Sequence, residues 1–94
     1  MAITVNLYAG MERIAGGSSV LLQHKPNMTI EGLLRQLIQQ YGDEMRAELV
    51  NLKTGEFASS VIIFNGKAMP LLPNLEKQIQ DGDEISLITF CAGG

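Results

Sequence analysis

One cysteine and one histidine stand in a chain of 94 residues that has no tryptophan, three prolines and no apolar run near the ~18 residues a membrane-spanning helix requires. Each shortage removes a class of function. Cys91 has no second thiol with which to close an intramolecular disulfide, and with His24 alone there is no cysteine–histidine zinc constellation. Basic residues number 7 against 10 acidic, for a net charge of −3, and Arg13, Lys25, Arg35, Arg46, Lys53, Lys67 and Lys77 form no run. Phosphate backbones repel such a surface, so nucleic acid is not an expected partner. Met1-Ala2-Ile3-Thr4 carries neither a basic stretch nor an apolar one of the secretory kind. A cytoplasmic, reducing setting and no membrane partner are the expectation.

Catalytic constellations are equally scarce. A serine–histidine pairing would rest on His24, which sits beside Lys25 and before a proline turn. Asp81, Asp83 and Glu84 crowd one tight turn, where aspartates ordinarily bond their own backbone rather than a cation, so no metal site is expected. Gly16-Gly17 lacks the surroundings of a phosphate loop, and Asn27-Met28-Thr29, although a glycosylation sequon, reads as a turn and helix cap.

What is present is patterning. Residues 3–8 alternate, with Ile3, Val5 and Leu7 on one face and Thr4, Asn6 and Tyr8 on the other, the period of a half-buried strand. The segment 11–15 is ambiguous, Gly16-Gly17 turns the chain, and 18–23 resumes as strand, giving a hairpin with a long connection. Thr29 caps a helix whose Ile30, Leu33, Leu34, Leu37, Ile38 and Tyr41 form one apolar stripe and which Gly42 ends. Residues 43–52 read as a short helical turn or a loop, and 54–56 as a tight reversal. Ser60-Val61-Ile62-Ile63-Phe64 is strand-like with apolar residues on both faces, and Asn65-Gly66 is a strong hairpin signal before a brief return strand, 67–69, stopped by Pro70 and Pro73. One helical turn at 74–78 and an Asp81-Gly82-Asp83 turn lead to a last strand, 84–90. One helix stripe and one mixed sheet of four or five strands pack most economically as a single-domain, two-layer α+β roll, residues 1–94, with first and last strands parallel in its centre.

The chain then finishes on Thr89-Phe90-Cys91-Ala92-Gly93-Gly94. Glycine lacks a Cβ, so a flexible Gly-Gly tail, from about residue 90, passes through a slot too narrow for other residues. From Phe90 outward, four extended residues reach ~13–14 Å into a partner. Residues 5–16 (Val-Asn-Leu-Tyr-Ala-Gly-Met-Glu-Arg-Ile-Ala-Gly), the Thr29-initiated helix, Phe64-Asn65-Gly66, Asp81-Gly82-Asp83-Glu84-Ile85 and Gly93-Gly94 together resemble the ubiquitin-like sulfur carriers, over nearly the whole chain and in order. The resemblance is greater to the small subunit of molybdopterin synthase than to the thiamine-pathway carrier. Proline is common before the tail in the molybdopterin type, whereas Thr89-Phe90-Cys91-Ala92 is nearer the thiamine type. The segment 46–59 is longer than in compact members.

The resemblance implies the β-grasp fold and a reactive end at Gly94, preceded by Gly93. An activating enzyme, using ATP, adenylates the terminal carboxylate, and a sulfur donor displaces AMP to leave a thiocarboxylate. The chain itself binds no cofactor and contributes no acid or base. Its partners are that enzyme and the large subunit of molybdopterin synthase or another sulfur-accepting synthase.

Alternation supplies the docking face: if Ile85 and Leu87 face the core, then Ser86, Ile88 and Phe90 face outward beside Tyr8, with Ile63 and Ala68 as further contacts and Cys91 and Ala92 threading the partner's slot. Three alternatives remain open from the residues: a carrier for thiamine or another sulfur-containing product, a modifier joined to lysines through Gly94, and an interaction domain with a frayed terminus.

Overall fold

The computed structural model describes residues 2–90 of the chain. In order come β1 (Ala2–Leu7), α1 (Ala9–Ala15), β2 (Ser19–Gln23), α2 (Ile30–Tyr41), α3 (Asp43–Leu49), β3 (Ser60–Phe64), β4 (Lys67–Pro70), a 3₁₀ turn (Leu72–Asn74) and β5 (Glu84–Phe90). The five strands form one sheet in the order β2-β1-β5-β3-β4, with β1 parallel to β5 and every other neighbour antiparallel. The expected roll, with its first and last strands side by side, is therefore the observed one.

α2 forms where its stripe and cap dictate. Thr29 Oγ1 accepts the Gly32 N–H at 3.1 Å, and the N–H groups of Ile30 and Glu31 donate to the carbonyls of Lys77 and Leu75, satisfying donors that the first turn leaves free. Ile30, Leu33, Leu34 and Leu37 are fully buried against Ile3, Val5, Leu7, Ile62, Ile85 and Leu87 of the sheet's inner face. Gly42, at φ 82°, donates its N–H to Ile38 and ends the helix.

Two segments that the sequence leaves open resolve as short helices. The ambiguous 11–15 stretch lies in α1, which buries Met11, and 43–52 contains α3, which buries Met45 and Leu49. Neither has the two or three turns over which a helical period becomes legible. The 46–59 segment closes one end of the core: Val50 and Phe57 bridge across the loop, and the Arg35 guanidinium lies 5.5 Å over the Phe57 ring. The short turn expected at 74–78 lies earlier, at Leu72–Asn74, where Pro73 fixes a helical φ. β4 also includes Pro70, which an edge strand tolerates because no outer neighbour needs its missing N–H.

The Asn-Gly and Asp-Gly-Asp signals turn out to be one device. Asn65 and Gly66 both have positive φ, 49° and 85°, as a two-residue hairpin requires. Asn65 also donates Nδ2–H to Asp83 at 2.9 Å, accepts the Glu84 N–H on Oδ1 at 2.8 Å and donates its own N–H to the Glu84 carbonyl at 2.8 Å. Asp83 in turn accepts the Gln80 N–H at 2.7 Å. The β3–β4 turn is thereby fastened to the entrance of β5. Asn65→Ala is expected to lose about 1–3 kcal/mol in denaturant unfolding, through two side-chain hydrogen bonds and a left-handed backbone that alanine disfavours.

Candidate functional site

The site is built on β5, which fills the sheet between β1 and β3. Alternation places Ile85 and Leu87, both fully buried, on the helix side and Ser86 and Ile88 on the open side. Ser86 nevertheless is only 8% exposed. Asn6 on β1 explains the cover: its Nδ2 donates to Ser86 Oγ at 3.0 Å and to Glu84 Oε2 at 2.6 Å, spanning the parallel pair. Ser86 thus lies on the open side, as alternation placed it, within a polar cluster with Asn6 and Glu84 rather than in the apolar patch.

Beyond that cluster the open face turns apolar. Val61 lies opposite Thr89 and Ile62 opposite Leu87, so Ile88 is an extra residue with no facing partner on β3. This is a β-bulge, which kinks its strand and re-aims side chains. Ile88 is 38% exposed, Val61 43% exposed, and Ile63 is half-buried between Ser86 on β5 and Ala68 on β4, with Ala68 itself exposed.

Tyr8 stands 45% exposed one residue past the end of β1, not within the strand as its alternation implied. Its backbone is still extended, φ −134° and ψ 157°, and it follows directly on the Leu7–Leu87 pair, so it reaches the same end of the sheet as Ile88. Ala9, at φ 52°, then turns the chain into α1.

Tyr8, Val61, Ile63, Ala68 and Ile88 are therefore brought to one face, around the strand that leads toward the tail. Phe90 pairs with Ser60 through its backbone. The Phe90 side chain and residues Cys91, Ala92, Gly93 and Gly94 lie outside the described residues. Val61 was missing from the residues chosen by sequence. Its signal was there, since a strand apolar on both faces must present one of them outward.

His24, set aside as a catalyst, has a structural partner: Nε2 lies 2.9 Å from the Ile79 carbonyl, which only accepts, so Nε2 carries the proton and ties the 77–80 loop to the end of β2. Among the described residues no cluster of three or more metal-ligating side chains occurs, and no helix is long and apolar enough to cross a membrane.

A family model for the ThiS family matches residues 5–94. The chain belongs to the ThiS family. The match runs from β1 through Gly93-Gly94, and the ubiquitin-like sulfur-carrier resemblance carried by the motifs holds. No curated protein matches the chain.

Solved structures share the β-grasp fold of this ThiS-family chain. SAMP1 from Haloferax volcanii, a small archaeal modifier protein, superposes with a TM-score of 0.77 at 21% identity, over all of both chains. Urm1 from Trypanosoma brucei gives 0.70 at 25% identity, over 99% of this chain and 95% of that one. A Pyrococcus furiosus chain described as subunit 1 of a molybdopterin converting factor gives 0.70 at 14% identity, over 97% and 99%.

Proposed function

We propose that this ThiS-family chain is a sulfur carrier whose Gly94 carboxylate is adenylated and then thiocarboxylated, and that the sulfur passes to a pterin precursor in molybdenum or tungsten cofactor biosynthesis. The observation that carries the reading is the family match extending through Gly93-Gly94, downstream of β5, which carries exposed Ile88 and has exposed Tyr8 and Val61 beside it. An isolated apolar cluster of this kind, beside a reactive strand, suits a partner's docking surface.

The chemistry follows from the carboxylate. Its delocalised charge makes it a poor electrophile. In the activating partner, a carboxylate oxygen attacks the α-phosphorus of ATP, pyrophosphate leaves, and the resulting mixed anhydride has lost the charge and gained a leaving group. A persulfide then attacks the acyl carbon, AMP departs, and a second thiol of the partner cleaves the acyl disulfide to leave the thiocarboxylate on Gly94. The carrier's share is reach, glycine slimness and a docking face. It supplies no proton donor or acceptor.

Intact mass tests the reading after coexpression with an activating enzyme and a sulfur source. The expected result is replacement of one terminal oxygen by sulfur. An unchanged mass in the presence of a competent enzyme would remove every carrier reading. The superposition on SAMP1 over the whole of both chains favours one second reading, a modifier conjugated through Gly94 to lysines. Covalent ladders on denaturing gels that disappear when Gly94 is deleted would support it.

A further inference from the structure

The sheet has two free edges, and they are built differently. β4, on one side, is four residues long and carries Lys67 and Pro70, both of which obstruct pairing by another strand. β2, on the other, is Ser19-Val20-Leu21-Leu22-Gln23, with no charge, no proline and no bulge. Leu21 at its centre is 71% exposed, the most exposed large hydrophobic residue among those described. None of the usual protections of an edge is present.

The register shows which backbone groups this edge offers. Asn6 faces Ser19, so Leu7 faces Ser18, and the Leu7 N–H donates to the Ser18 carbonyl at 2.8 Å. Antiparallel pairs alternate between bonded and non-bonded, which makes Val5–Val20 and Ile3–Leu22 the bonded pairs. Thr4, opposite Leu21, agrees: its N–H points the other way, to Asp83. Ser19, Leu21 and Gln23 therefore turn their N–H and C=O groups away from β1, toward the open edge.

We propose that β2 is a self-complementary docking edge on which a second copy of this chain pairs antiparallel, with the two-fold axis through Leu21. Centring the axis there makes Leu21 face its own copy and Ser19 face Gln23 of the other. All outward N–H and C=O groups of these three residues then meet partners of the opposite kind. The two Leu21 side chains meet on the open face, while Val20 faces Leu22 on the helix side. Beyond the strand, Lys25 faces Gly17 and His24 faces Ser18, so no like charges are opposed. A one-residue slip of one strand against the other, which sets the axis midway between two residues, would face these outward groups with ones that already point to β1, and so forms no ladder.

With five residues a side against the ~20–30 of a standard interface, the association is weak and reversible. Each copy carries a net charge of −3, so salt strengthens it. The surface around Val61 and Ile88 stays free, because two strands, β1 and β2, separate β5 from the new junction.

Sedimentation equilibrium of the full chain between about 10 μM and 1 mM tests the proposal. Wild type is expected to pass from monomer to dimer over that range. Leu21→Lys places two ammonium groups at the axis and is expected to raise the dissociation constant at least tenfold, with thermal stability retained because the side chain is exposed. Ser19→Lys with Gln23→Glu creates two unlike pairs only in this register and is expected to tighten the dimer about 2- to 30-fold, whereas Ser19→Lys with Gln23→Lys weakens it. A wild type that stays monomeric to 1 mM overturns the proposal, including the case in which β2 amides respond only to a foreign extended peptide. A dimer indifferent to Leu21→Lys overturns it as well.

Discussion

A chain lacking only Gly94 is expected to fold, dock and compete with wild type, yet accept no sulfur. The terminal carboxylate is still present, on Gly93, with the same charge and intrinsic reactivity. What changes is its position, by one residue or ~3.3–3.6 Å along an extended tail. Attack on the α-phosphorus of ATP needs near-attack geometry, and a displacement of 1 Å already costs on the order of 10²-fold. Appending one alanine after Gly94 is expected to fail for the converse reason, overreach together with a Cβ in a slot shaped for none. Intact mass after incubation with the activating enzyme reads sulfur uptake, and titration calorimetry reads docking. Thiocarboxylation of either variant at the wild-type rate would show that the tail is not the reacting element.

The second large effect separates two adjacent residues of β5. Leu87→Asp is expected to leave the chain unfolded. The position is fully buried beneath α2, so the change forfeits ~1.5–3 kcal/mol of burial and strands a carboxylate with no partner, a further cost of several kcal/mol. Together these approach the whole stability of a small domain. Ile88→Asp, on the bulge and open to solvent, is expected to cost about 1 kcal/mol and to keep native circular dichroism. Its effect falls on association instead: an aspartate pressed into an apolar contact is expected to weaken binding to the activating enzyme or synthase subunit about 10- to 100-fold by calorimetry. A folded Leu87→Asp with an unfolded Ile88→Asp would mean that the faces of β5 are reversed.

Those faces were legible in the sequence because one side of the strand is buried and the period of a strand is two. Ile85 and Leu87 could satisfy the core only in one register. α2 was legible for a similar reason, with twelve residues, a threonine cap and a glycine stop. α1 and α3, at seven residues each, are too short to establish a period, and tertiary packing of Met11, Met45 and Leu49 decides them. The burial of Ser86 on the open side was not legible, because alternation gives the direction of a side chain and not what lies over it. The cover comes from Asn6, eighty positions away in sequence. Val61 was overlooked although it lies two positions from Ile63 and so on the same face of β3; what no single strand encodes is the bulge at Ile88, a feature of strand pairing.

The parallel pairing of β1 with β5 also governs how the fold can be reached. Thr4 meets Glu84 and Leu7 meets Leu87, so the central pair joins segments from opposite ends of the described chain. The β1–β2 and β3–β4 hairpins are local, but they share no border and are joined only when β5 slides between them. Closing so long a loop costs entropy before any contact rewards it, which favours slow folding for the chain's size. No stretch stopping short of β5 contains a continuous sheet. A nascent chain interrupted there would expose Ile3, Val5, Leu7 and Ile62 together, and the open flank of β1 would be free to take up a strand from another molecule. The strand that leads toward Gly94 is also the one whose arrival completes the domain, so under the proposed function a copy able to offer its terminus to a partner is a copy that has already folded.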